Sequence, residues 1–173
     1  MQIVFSKRAY LSIVSETSQK KETETGGTFL GCYENGIWYV IETIKPGPNS
    51  IFEKSYFEYD RKYTERQINK KARLYKSDMT LIGLWHSHLS SVDEFSPIDN
   101  ETNSEYAKLS KNGAISIIVN TDLEFRMTAY HVVHPLKYTK IMYAVGDDLI
   151  PKYLIQRTTK EKRFQKQANP AKP

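Results

Sequence analysis

Cysteine is nearly missing from this chain: Cys32 is the only one in 173 residues. A lone thiol excludes an internal disulfide framework and a multi-cysteine zinc ribbon. Long apolar runs are missing as well. The start, Met1-Gln2-Ile3-Val4-Phe5-Ser6-Lys7-Arg8, is too polar for a secretory leader, and no later stretch could span a bilayer. A soluble cytoplasmic protein with no membrane partner is the expectation. With 8 Gly and 7 Pro the chain is not low-complexity, and 12 Tyr with 7 Phe argue against disorder. The length suits one domain that buries its own core.

Excess charge is also absent from the body. The net charge is +5, and residues 156–173 carry six basic groups against the single acid Glu161. The remaining 155 residues hold 19 basic and 19 acidic groups, so the high isoelectric point describes the end of the chain. A neutral body offers no electrostatic footprint for nucleic acid. The expected division is a domain over 1–150 and a basic tail over 151–173, solvated and flexible beyond 156.

The pattern along the chain mixes both kinds of regular structure. A short strand at 3–5 precedes a helix from about Lys7 to Lys20, with Leu11, Ile13 and Val14 as apolar positions. Thr28–Tyr33 and Ile37–Ile41 flank Glu34-Asn35-Gly36, the signature of a tight hairpin. Thr64-Glu65-Arg66-Gln67 fits a capping box and opens a second helix. Leu81-Ile82-Gly83-Leu84-Trp85 reads as a strand buried on both faces. Ser96-Pro97-Ile98-Asp99 carries a helix start, Ser as cap and Pro in the first turn, and that helix should stop at Asn112-Gly113. Strands follow at 114–119 and 125–133, with another at 138–145. The fold class is therefore α+β around one sheet.

Two of the four histidines stand where chemistry is expected. His86 and His88 occupy i and i+2 at the end of the buried strand, so both imidazoles project from one face while Ser87 points away. Two imidazoles on one strand make a preset bite for a metal ion. Asp99, eleven residues on and in the first turn of a helix, can return to complete a set of two histidines and a carboxylate. Asp93 and Glu94 compete on spacing but lie in a loop. His131 and His134 have no such context. For a base, Glu24 is the first candidate, because Gly26 and Gly27 after it permit close backbone approach to another element. Glu34 and Glu42 are alternatives.

His86-Ser87-His88, seven residues, then Ser96-Pro97-Ile98-Asp99 is similar to the His-x-His-x7-Ser-x-x-Asp signature of the JAMM (MPN+) metalloproteases. Glu24-Thr25-Gly26-Gly27 resembles that family's glutamate segment. Pro46-Gly47-Pro48, Tyr59-Asp60, Tyr63 and Gly83-Leu84-Trp85 resemble bacterial members that accompany ubiquitin-like conjugation enzymes. The likeness spans about residues 1–145, and Leu89 stands where many relatives have proline after the second histidine. It implies a single MPN-like domain, a mixed sheet flanked by helices in a cytidine-deaminase-like three-layer arrangement. It implies one zinc ion per chain on His86, His88 and Asp99, Glu24 as general base, and Ser96 holding the oxyanion or positioning Asp99. The implied substrate is a ubiquitin-like protein or its conjugates, cut after the C-terminal glycines. Implied partners are activating-like and conjugating-like enzymes of the same operon, plausibly in antiphage defence. A small sulfur-carrier protein as substrate, or a non-catalytic interaction module, are the other readings.

Overall fold

Both faces of the central strands are covered, which is why 81–85 reads as a continuous apolar run rather than an alternating one. The computed structural model describes residues 1–122 and 124–158. In chain order it contains β1 (Gln2–Phe5), α1 (Lys7–Gln19), β2 (Gly26–Glu34), β3 (Ile37–Ile44), β4 (Ile51–Phe52) and β5 (Phe57–Glu58). Then come α2 (Arg61–Ala72), β6 (Thr80–His88), α3 (Pro97–Ala107), β7 (Ala114–Asn120), β8 (Arg126–Val133), β9 (Lys137–Lys140) and β10 (Met142–Val145). The architecture is α+β, with helices on both sides of a mixed eight-stranded sheet ordered β10-β1-β3-β2-β6-β7-β8-β9.

Successive residues feed opposite faces, as a strand's two-residue period requires. Ile3, Phe5, Phe29 and Trp38 pack on one side with Ala9 and Ile13 of α1. Val4, Leu30, Tyr39 and Ile41 pack on the other, where Ile68 and Ala72 of α2 join them. α3 lays Tyr106 against Leu84 and Ala114.

β9 and β10 lie at opposite ends of the strand order, yet only Ile141 separates them. One residue advances the chain by about 3.8 Å. The sheet must therefore curl until its two edges adjoin, and the Ile141 N–H donates to the Ala129 carbonyl at the seam. Trp38 of β3 meets His131 of β8 across the interior, ring centroids 5.9 Å apart. The stretch expected as one strand at 138–145 is thus two, each serving a different edge.

Other expectations are corrected locally. In α1 the buried face is Ala9, Ile13, Glu16 and Thr17, while Leu11 is 61% exposed. Two buried polar residues hid the true stripe. α2 starts four residues earlier than the Thr64 box suggests, because Asp60 accepts the Tyr63 N–H and takes the cap. α3 stops at Ala107, and residues 108–113 form turns that end on Gly113 at φ +78°. Among the described residues no helix is long and apolar enough to cross a membrane.

The chain does not leave the body at 150 or at 156. Leu154 is buried in the cluster under α2, the Lys76 N–H donates to Gln156 and the Thr158 N–H to Leu74. Arg157 reaches the carboxylate of Glu42 at 3.5 Å. Residues 159–173, the greater part of the basic segment, lie outside the described residues.

Glu42 is the node of this docking. It is 2% exposed and receives Arg8 at 2.8 Å, Lys71 at 2.9 Å and the Tyr75 hydroxyl. Burial pushes the carboxyl up, but the hydrogen bonds from Lys71 and Tyr75, with the charges of Lys71 and Arg8, outweigh it and leave the pKa below its ordinary 4.5. A lowered carboxylate pKa stabilises the fold above the unfolded value, and the contribution fades as pH falls through the folded one. Glu42→Gln should therefore cost about 2–3 kcal/mol at neutral pH, the cations being partly able to turn to water. Thermal melts should show the gap to wild type closing below about pH 4.5. A gap that is constant with pH would contradict this role.

Candidate metal centre

β6 and β7 run parallel and end together, His88 level with Asn120. His86 and His88 leave β6 on one face, and their Nε2 atoms stand 2.9 Å apart. The third donor arrives on α3. Ser96 Oγ accepts the Asp99 N–H at 3.2 Å, and Asp99 Oδ2 accepts the Ser96 N–H at 2.8 Å, so the two residues cap the helix reciprocally. That box aims the carboxylate: Oδ1 lies 3.3 Å from His86 Nε2 and Oδ2 lies 4.0 Å from His88 Nε2. One donor atom from each of the three residues falls within 4.8 Å of the others. Asn103 donates to the Tyr138 hydroxyl, which in turn donates to Asn100, so α3 is moored to β9 one residue beyond Asp99.

The donor set has the chemistry of a metal site. Val92 O lies 3.0 Å from His88 Nδ1. A carbonyl only accepts, so Nδ1 carries the proton and the Nε2 lone pair faces the cluster. Burial, then the neighbouring His86, pushes the His88 pKa down, which keeps that ring neutral. Burial pushes the Asp99 carboxyl up, but the hydrogen bond and charge of His86 and the bonds from Ser96 hold it well below the usual carboxylate range. Two imidazole Nε2 atoms and an ionised carboxylate converging on one point fit a divalent cation of the zinc type.

Glu24 lies beside this cluster. β2 pairs with β6 so that Gly26 is level with His86, and the Glu24 N–H donates to Glu53 just past β4. A side chain at Gly26 would put its Cβ 2.4 Å from the Trp85 carbonyl, and at Gly27 2.4 Å from the Ile44 carbonyl. Only glycine allows this approach. Burial raises the Glu24 pKa from 4.5 to about 7, with His86 opposing and Asp99 adding. Glu24, His86, His88, Ser96 and Asp99 all line one cavity of about 750 Å³, walled by Tyr56, Phe57 and Tyr59 on one side and α3 on the other.

The competing residues are occupied elsewhere. Asp93 Oδ2 is held by Arg126, Glu34 by the Tyr153 hydroxyl, and Glu42 by the cations under α2. His131 Nε2 sits 2.7 Å from the Asn112 carbonyl, a structural contact. Sequence reasoning missed Ser87: its Oγ accepts the Thr25 N–H at 2.9 Å, and its own N–H donates to the Thr25 carbonyl at 2.7 Å. The residue between the two ligand candidates fastens the strand that carries Glu24. A serine facing away from a His-x-His pair gave no signal of that.

A family profile describing prokaryotic homologs of the JAB domain matches residues 6–132. The chain belongs to this family. A 78-residue stretch of the JAB-domain chain is 28% identical to a Sinorhizobium fredii protein named as a probable metalloprotease. It takes in 44% of this chain and 48% of that one, about half of the relative's length. The fold likeness reaches further. The solution structure of a Desulfitobacterium hafniense protein superposes with a TM-score of 0.62 over 83% of this JAB-domain chain and 92% of its own, at 13% identity.

The raised Glu24 pKa makes a prediction about stability. Between about pH 4.5 and 7 the folded metal-free chain holds this proton more tightly than the unfolded chain, so the carboxyl weakens the fold as pH rises through that window. Metal-free Glu24→Gln should melt above metal-free wild type at pH 8 and level with it at pH 4. Equal melting temperatures at pH 8 would contradict the buried setting of Glu24.

Proposed function

We propose that this JAB-domain chain is a metal-dependent peptidase that cuts peptide or isopeptide bonds after the C-terminal glycines of a ubiquitin-like protein. The observation that carries the reading is the convergence of His86, His88 and Asp99 beside Glu24 in one open cavity. Three protein donors suit a catalytic rather than a closed structural site, which uses four. When bound to these residues, zinc would supply a Lewis acid that polarises a carbonyl and lowers the pKa of water.

The chain's own groups account for the proton movements. Glu24, poised near pH 7, takes a proton from the attacking water as its oxygen bonds to the scissile carbonyl carbon. It then returns that proton to the amine as the C–N bond breaks. Ser96 Oγ accepts from the Asp99 N–H, which leaves its own hydrogen free to donate where negative charge develops on the carbonyl oxygen. Asp99 stays ionised throughout, held by His86 and Ser96.

Glycine residues present only backbone, so an extended Gly-Gly tail is best recognised by strand addition. The β4–β5 hairpin, with Tyr56 and Phe57 against the cavity, supports such a mode. Maturation of a precursor and removal from a target would use the same residues. On this reading the partners are conjugation enzymes of the same operon, and the protein works in the cytoplasm.

The test uses a fusion with a Gly-Gly junction and zinc-supplemented protein. Wild type should hold one zinc and cleave. Glu24→Gln should keep its metal and lose about 10²–10⁴-fold in rate. His88→Ala should lose metal and activity together, since two ligands hold zinc weakly. Loss of metal in Glu24→Gln would make Glu24 a ligand, and a fully loaded wild type that hydrolyses no such junction would overturn the proposed substrate.

A further inference from the structure

Four consecutive carbonyls of the loop after β6 are gripped by side chains from β7 and β8. Asn120 Nδ2 donates to Ser90 O at 2.6 Å and to Val92 O at 3.0 Å. Arg126 donates to Ser91 O at 3.0 Å, and the Tyr130 hydroxyl to Asp93 O at 2.9 Å. The loop is thus held by its backbone, while the Val92 side chain stays 50% exposed at the cavity. Val92 O is the acceptor that also takes the proton of His88 Nδ1.

We infer that Asn120 is a positioning residue for the metal centre, fixing through the Val92 carbonyl the tilt and tautomer of His88. The inference rests on the metal-centre reading above. Hydrogen-bonding capacity closes on this assignment. Both N–H groups of the Asn120 amide are used, one on each carbonyl, and both lone pairs of Val92 O are used, one by Asn120 and one by His88. The other half of the amide is orphaned: Asn120 is 2% exposed and its Oδ1 has no partner among the described residues. A buried polar atom without a partner is unfavourable, and an apolar residue, like Ile117, Ile118 and Val119 before it, would avoid it. What the amide offers in return is its two donors. Ligand imidazoles are oriented by the hydrogen bond on their other nitrogen, and loss of such support typically weakens metal binding about 10- to 100-fold.

The experiment measures zinc affinity by competition with a chelating indicator, and the visible spectrum of the Co2+-loaded full chain. Asn120→Asp keeps the shape but turns acceptors onto two carbonyls. Its zinc affinity should fall about 10- to 100-fold, and its Co2+ bands should shift as His88 reorients. Should that variant fail to fold, the pair Arg126→Gln with Tyr130→Phe loosens the same loop from the exposed side; a weaker loss in the same direction, with the same band shift, is expected. Wild type that binds no zinc would sink the metal-centre reading. Wild type that binds zinc, with variants of equal affinity and unchanged Co2+ bands, would overturn the role of Asn120 alone.

Discussion

Two imidazole nitrogens 2.9 Å apart, with a carboxylate oxygen 3.3 Å from one of them, form an arrangement that water alone does not favour. His88 turns its Nε2 lone pair inward beside the second ring nitrogen, and the ionised Asp99 adds a full negative charge to the same small volume. A shared cation would resolve the crowding, and the surrounding structure keeps the three donors from relaxing apart. His86 and His88 are locked by a strand paired on both sides, and Asp99 by its box with Ser96 at the head of α3. The first lock is a ladder of backbone hydrogen bonds, and the second ties each side chain to the other residue's backbone N–H.

The rest of the fold serves to hold those elements in register. β9 pairs with β8 at the sheet edge, and from β9 Tyr138 moors α3. Phe95 stacks on Tyr138, its centroid 4.7 Å away, and lies 6.1 Å from the His86 ring, so an apolar wall stands directly behind the donors. On the far side Ser87 and the close approach of Gly26 bring Glu24 alongside, in a setting dry enough to raise its pKa. Away from the cavity, Glu42 gathers Arg8, Lys71 and Arg157 and pins α1, α2 and the chain around residue 157 to one strand. Rigid scaffold and exposed chemistry are thus drawn from different regions of the same sheet.

Much of this was legible because local rules and tertiary demands agree. Two histidines at i and i+2 on a buried strand must share a face, and Ser-Pro-x-Asp is both a helix start and a ligand mount. The Asn35-Gly36 hairpin formed as its turn chemistry requires, with Asn35 at φ 51°. At α2 the failure was local, since Asp60, four residues before Thr64, takes the cap. The other failures came where a partner distant in sequence decided the outcome, as nothing in 138–145 reveals that its two halves pair with strands more than a hundred residues apart. Asn120 and Ser87 were invisible for the same reason, since their hydrogen bonds cross from one strand to a loop or another strand. The basic composition after 156 suggested solvent, yet Arg157 finds a buried carboxylate that no local reading could supply.

The central claim is that His86, His88 and Asp99 form one metal centre with Glu24 beside it and not in it. Anomalous diffraction at the zinc edge from crystals of the zinc-loaded chain tests it directly. The account predicts a single strong peak about 2.0–2.2 Å from His86 Nε2, His88 Nε2 and an Asp99 oxygen, with the Glu24 carboxylate outside bonding distance. A peak bonded to Glu24, a peak on other residues, or none at all would contradict it.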